Sequence, residues 1–216
     1  MQDILVILDR SGSMQARRAD HEGGLRSFVR DQAEAGDDAW FTLVLFDDVN
    51  PCEVVIDRQP IDRVRDTDLH LIPRGATPLL DAIGKAVANL EERQRTEPSE
   101  HTLVMIVTDG QENASKEWSR ARVKQLLTDK EAAGWTLLYL GANVDAFTEG
   151  GAIGVAAAVT ANYAATAGAV AAAYTSVSSN YARARPLVRA KASSGAVRRA
   201  MAFNSSQRRA MTPSAK

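Results

Sequence analysis

The sequence predicts an α/β fold: a doubly wound, mostly parallel sheet with helices on both faces and one antiparallel edge strand. Three observations carry this. Continuous apolar runs at residues 4–8 (ILVIL), 40–46 (WFTLVLF), 102–108 (TLVMIVT) and 135–140 (WTLLYL) read as strands buried on both faces, because a half-buried strand alternates apolar and polar residues. Between these runs lie amphipathic stretches of helical length, as a parallel sheet with crossover helices requires. Residues 53–57 follow 40–46 after only a short turn at Asn50-Pro51, which makes a hairpin at one sheet edge.

Taken in order, residues 4–8 end in Asp9-Arg10-Ser11-Gly12-Ser13. A carboxylate followed by two hydroxyls at alternate positions, with Gly12 letting the backbone turn, sets three oxygens around one point. Such hard ligands suit Mg²⁺, Mn²⁺ or Ca²⁺ better than Zn²⁺. The alternative is an ordinary turn in which Asp and Ser cap the next element. Residues 21–35 carry Leu25, Phe28 and Val29 at helical spacing. Asp47-Asp48, in the hairpin loop, reads as an exposed turn rather than a cation site. Arg74-Gly75-Ala76-Thr77-Pro78 opens a helix to about Arg95, with Leu80, Ile83, Val87 and Leu90 on one face; Thr77 stands where an N-cap belongs and Pro78 at the first helical position. A capping threonine at the mouth of a sheet also exposes its hydroxyl to a metal.

Residues 102–108 end in Asp109-Gly110, a second carboxylate at the end of a buried strand. Right-handed crossovers bring the first and fourth strand ends side by side, and ligands of open α/β sheets bind in that crevice. Residues 117–133 read as a helix with Trp118, Ala121, Val123, Leu126 and Leu127 as its apolar positions, and Gly134 as its stop.

Charge is divided along the chain. Residues 1–149 hold all 27 acids and 17 of the 26 Lys and Arg, 17 − 27 = −10; residues 150–216 hold nine bases and no acid, +9. The acidic part favours a cation, the basic part an acidic partner. Residues 150–182 carry no charge, but Ala, Gly, Ser and Thr dominate them, too weakly apolar for a membrane span. They read as a short helix at 145–154, a strand at 159–163, and a helix at 167–185 whose stripe Val170, Tyr174, Val177 and Tyr181 faces the core. A domain over residues 1–185 and a flexible basic tail over 186–216 follow; nucleic acid binding by that tail is the lesser reading, since it lacks interleaved aromatics. Cys52 is the only cysteine, and Met1 stands almost directly before the first strand, which leaves no room for a cleavable signal; both suit the cytoplasm. His21, His70 and His101 have no ligand spacing and read as surface or boundary residues.

Asp9-x-Ser11-x-Ser13, Thr77 in its Gly-x-Thr-Pro setting, and Asp109-Gly110 together resemble the metal-ion-dependent adhesion site of von Willebrand factor type A (vWA) domains. The stretch 107–115 (VTDGQENAS) is similar to that of small stand-alone bacterial and phage members, and the resemblance covers roughly residues 1–165. It implies that Ser11 and Ser13 bind the cation directly, that Asp9 and Asp109 act largely through water, and that Thr77 alternates between the two. It implies Mg²⁺ (or Mn²⁺ or Ca²⁺) as the ion and a partner protein's Asp or Glu as the last ligand, in a bacterial cell or a phage-infected one. An AAA+ ATPase is a partner class that the same resemblance suggests. A phosphohydrolase of the haloacid dehalogenase type is the enzyme alternative, but it needs a second aspartate where Ser11 stands, and no obvious catalytic lysine follows the fourth strand. The expectation is a non-enzymatic interaction module.

Overall fold

The structure is a computed structural model that describes residues 1–36, 38–143 and 145–213. Its centre is β1 (Gln2–Asp9), every residue of which is buried. β1 pairs in parallel with β2 (Ala39–Phe46) on one side and with β4 (Thr102–Thr108) on the other. β5 (Thr136–Gly141) and the short β6 (Thr160–Asn162) extend the parallel sheet, and β3 (Glu53–Pro60) closes the far edge antiparallel to β2. The order is β3-β2-β1-β4-β5-β6. The strands form where the apolar runs lie, because crossover helices bury both faces of the sheet and no polar alternation is needed.

Two helix pairs cover the faces. α1 (Arg18–Glu34) packs with α5 (Ala167–Arg189), and α2 (Leu79–Gln94) with α3 (Arg120–Ala132). Gly24 allows the first pair its close approach: a Cβ there would lie 2.2 Å from the Tyr174 ring. Val170, Tyr174, Val177 and Tyr181 are buried, as their spacing predicts.

Several expectations are corrected. α3 starts at Arg120, with the Ser119 hydroxyl accepting the Arg122 N–H at 3.3 Å, rather than at residue 117. The cause is Asp81, whose carboxylate accepts the N–H groups of Lys116, Glu117 and Trp118 and holds them out of a helix. Trp118 therefore precedes α3 and packs on Gly84 of α2. His21 and His101 are core residues, not boundary ones; His70 alone is exposed, beside Glu22.

The basic C-terminal segment also departs from a flexible extension. α5 continues through Pro186 to Arg189, and α6 (Ser194–Met201) and α7 (Ser205–Met211) follow, preceded after β5 by the short α4 (Ala146–Ala152). Val197, Met201, Phe203 and Met211 are buried. Two of its bases serve as internal donors: Arg208 reaches the carbonyls of Thr160 (2.7 Å) and Ala157 (2.9 Å), and Arg198 pairs with Glu131 (3.0 Å); just before the segment, Arg183 reaches Asn180 (2.6 Å). The Ala164 N–H donates to the Met211 carbonyl at 2.7 Å, so α7 closes over the end of β6. Among the described residues no helix is long and apolar enough to cross a membrane.

Candidate metal centre

Asp9 is the last residue of β1 and is fully buried. Its Oδ1 accepts the Ser11 N–H at 2.7 Å, which curls the chain into the short 3-10 turn Gly12–Arg17, and its Oδ2 accepts the Thr108 hydroxyl at 2.6 Å. Ser11 Oγ lies 3.1 Å from Ser13 Oγ, and the Ser13 hydroxyl donates to Asp109 Oδ1 at 2.5 Å. Ser13 is the exposed member of the group. Thr77 completes it: a Cβ on Gly110 would lie 3.1 Å from Thr77 Oγ1 and 3.7 Å from Ser13 Oγ. The glycine after Asp109 is thus what lets the threonine hydroxyl come in. All five residues singled out in the sequence, Asp9, Ser11, Ser13, Thr77 and Asp109, meet where the ends of β1 and β4 lie side by side.

Thr77 does not act as an N-cap. Pro78 occupies that position with no capping side chain, and α2 begins at Leu79. The Leu80 N–H is taken by the Glu112 carboxylate from the loop after β4 at 2.8 Å, so the Thr77 hydroxyl is spared for the cluster.

Both carboxylates of the cluster are desolvated. Burial pushes the Asp9 carboxyl up to about 6, against the Thr108 and Ser11 hydrogen bonds that lower it. Burial also raises Asp109, with the Ser13 hydroxyl opposing. Among the described residues neither carboxylate forms an ion pair with Lys or Arg; Arg10, between Asp9 and Ser11 in sequence, turns away to Asp47 and Glu53. Nor do the described residues contain a cluster of three or more His, Cys, Asp and Glu side chains. Two desolvated carboxylates and three hydroxyls are a hard-oxygen set, which fits Mg²⁺, Mn²⁺ or Ca²⁺.

Two supports of the centre were not read from the sequence. The first is Asp47, a buried hub rather than an exposed turn residue: it accepts Arg10 Nε at 2.6 Å, Arg74 Nε at 2.9 Å, and the N–H groups of Val49 and Asn50 at 2.8 Å each. Burial alone would raise its carboxyl, but the Asn50 N–H and the two guanidiniums outweigh that and hold it below the usual range. Backbone bonds run beside it, Arg74 N–H to the Arg10 carbonyl (2.9 Å) and Gly12 N–H to the Gly75 carbonyl (3.0 Å), and fasten the threonine loop to the serine loop. The second is the loop after β4, where Asn113 bonds Thr77 and Glu112 accepts the Leu80 N–H at the start of α2, while Asp81 of α2 accepts the N–H groups of Lys116, Glu117 and Trp118 farther along the loop. A polar run such as Gln111-Glu112-Asn113 gave the only signal, and nothing local says which backbone groups it meets.

The sequence matches no protein-family model and no curated protein. Solved structures do share the architecture. A von Willebrand factor type A protein from Catenulispora acidiphila is 15% identical, covering 93% of this chain and 42% of that one, with a TM-score of 0.57. The SpRpn10 VWA domain is 11% identical over 82% of this chain and 94% of its own, TM-score 0.57. Proximal thread matrix protein 1 from the mussel byssus, in a structure with a zinc-occupied MIDAS motif, is 19% identical over 77% of this chain and 42% of that one, TM-score 0.52. Apart from the isolated VWA domain, this chain spans less than half the length of these proteins. At such identities the likeness bears on architecture, and the fold of this chain is that of the von Willebrand factor type A domains.

Proposed function

We propose that this chain is a non-enzymatic, divalent-cation-dependent protein-interaction module, in which Asp9, Ser11, Ser13, Thr77 and Asp109 hold Mg²⁺ or a similar hard ion and a partner protein's Asp or Glu carboxylate completes the coordination. The observation that carries it is the pair of buried carboxylates, Asp9 and Asp109, which share one crevice with three hydroxyls and have no basic partner among the described residues. The ion would supply the positive charge that attracts the incoming carboxylate. The hydroxyls add no charge as direct ligands, and carboxylates acting largely through water screen only part of the ion's charge, which leaves that attraction strong. Ser13, exposed at the mouth, marks the side from which the partner approaches. The hydroxyl of Ser11, where a haloacid dehalogenase type enzyme has its acid/base carboxylate, supports binding over hydrolysis.

The test is thermal unfolding in Mg²⁺, Mn²⁺, Ca²⁺ and EDTA, for the wild type and for Ser11→Ala/Ser13→Ala. An ion at about 100 times its Kd stabilises the native state by roughly 2.7 kcal/mol, a rise of about 5–10 °C for a chain of this size. The rise should vanish in the double variant. No shift with any ion in the wild type would count against the reading; a shift justifies capture of partners in Mg²⁺ with release by EDTA.

A further inference from the structure

We infer that the turn between β2 and β3, together with residues 72–75, forms a rigid apolar shoulder beside the metal centre, and that it selects a partner loop carrying a single acidic residue with an aliphatic or aromatic side chain one or two positions away. The inference rests on the metal-bridging reading above.

The shoulder is built, not incidental. Asp47 fixes the turn through the N–H groups of Val49 and Asn50, and Arg74 joins it to the neighbouring loop through the same carboxylate. The Asp48 side chain lies directly over Gly75, 1.7 Å from where a Cβ would fall, and Gly75 has φ +66, the conformation that favours glycine. The Gly75 carbonyl in turn accepts the Gly12 N–H, between the two metal-site serines. The turn is therefore continuous with the metal centre through one hydrogen bond.

On this frame stand Val49, 70% exposed, and Ile72, 63% exposed, the two most exposed large hydrophobic side chains among the described residues. Single exposed aliphatics need no explanation, but these two belong to loops that the Asp47–Arg74 and Asp48–Gly75 contacts join, the second of which bonds the serine loop. With the turn's backbone and the neighbouring loop fixed before any partner arrives, little loop freedom is lost on contact, a cost that otherwise subtracts from binding energy. The surrounding charges set the rest of the preference. Asp47, Asp48 and Glu53 outnumber Arg10 and Arg74 by one, so a second acid in the partner segment meets a net negative shoulder, while an apolar neighbour meets Val49 and Ile72.

The test is an NMR titration of the full chain in Mg²⁺ with two synthetic nonapeptides, each with one central Glu, flanked by Leu on both sides in one and by Ser in the other. The Leu-flanked peptide should bind at least fivefold more tightly, and the difference should disappear in Val49→Ser/Ile72→Ser while that variant keeps its Mg²⁺-induced rise in Tm. Metal-dependent binding of equal strength for the two peptides, a preference that survives in the variant, or no binding of the Leu-flanked peptide overturns the shoulder and leaves the metal reading standing. Binding unchanged in EDTA, or a wild type without an ion-induced shift, overturns the metal reading and the shoulder with it.

Discussion

The side-chain carbonyl of Asn113 accepts the Thr77 N–H at 2.9 Å, and the Thr77 carbonyl accepts the Asn113 N–H at 3.1 Å. The threonine is gripped on both sides of its own residue by one position in the loop after β4. Neither bond uses the Thr77 hydroxyl, which is left facing Gly110 and Ser13. Asn113→Ala removes one bond and should let Thr77 drift. A hydrogen bond of this kind is worth about 1 to 1.5 kcal/mol, so Mn²⁺ affinity measured by calorimetry should fall about tenfold. Asn113→Asp, which keeps the acceptor, should recover part of the loss. Wild-type affinity in Asn113→Ala would show that the remaining backbone bond from residue 113 and the flanking Gly75 and Pro78 position Thr77 without the side chain.

Asp47 stabilises the same centre from the other side. Asp47→Ala strips Arg10, almost wholly buried, of its buried carboxylate partner, so that only the partly exposed Glu53 remains, and takes from the Val49 and Asn50 N–H groups their acceptor. Removing one partner of a buried ion pair costs about 3–5 kcal/mol. Urea unfolding should show a loss of that size, and Asp47→Asn, which keeps an acceptor but no charge, a smaller one. A loss below about 1 kcal/mol would mean that Glu53 alone satisfies Arg10.

These two supports mark where the sequence stops being legible. β1, β2, β4 and β5 are readable because strands buried on both faces need only a run of apolar residues. The placement of Asp9 and Asp109 is readable because each directly follows such a run, and that of Ser11 and Ser13 because they lie two and four residues after Asp9. Asp47 looked like a turn residue, since Asp in a hairpin loop is common and its arginine partners lie 37 and 27 positions away. Asp81 escaped for the same reason: its acceptors fix a loop 35 to 37 residues on, and so displace the start of α3. In the last 31 residues the frequency of Arg suggested solvation. Yet Arg208 spends its donors on backbone carbonyls, while Val197, Met201, Phe203 and Met211 are too widely spaced to form an apolar run.

Asp9 is destabilising without an ion. Burial lifts its carboxyl from 3.8 to about 6, so at pH 7 the metal-free protein holds a buried charge that costs about 3 kcal/mol. Asp9→Asn removes the charge and keeps an acceptor for the Ser11 N–H, while its amide NH2 donates to the Thr108 hydroxyl, which can turn its own proton to the Gly110 carbonyl. In EDTA its Tm should therefore equal or exceed that of the wild type, while the rise on adding Mg²⁺ should be lost. A variant less stable in EDTA and still stabilised by Mg²⁺ would remove Asp9 from the metal site.

The two buried histidines should make the protein acid-sensitive well above the carboxylate range. His21 lies between the hydroxyls of Tyr174 (3.3 Å) and Tyr163 (3.4 Å), and His101 Nε2 meets Thr136 Oγ1 at 3.0 Å while its Nδ1 has no partner among the described residues. Burial lowers both from 6.5 to about 4. Between pH 6.5 and 4 the unfolded chain takes up these protons and the folded chain does not, so stability is complete above the unfolded value and falls as pH drops through this window. Each histidine contributes roughly 3 kcal/mol. Asp9 in the metal-free protein works the other way, since its folded form binds a proton more readily than its unfolded form, and it offsets about half of the total. Urea unfolding in EDTA between pH 7.5 and 4.5 should therefore show a net loss on the order of 3 kcal/mol. His101→Gln, which keeps a donor or acceptor for Thr136, should flatten the profile by about the contribution of one histidine. The same substitution should leave the Mg²⁺-induced rise in Tm at pH 7.5 unchanged, because His101 precedes β4 and the metal centre follows it, at the opposite end of the strand. A profile that stays parallel to the wild type would mean that His101 is protonated in the folded protein, with its Nδ1 donating to an acceptor.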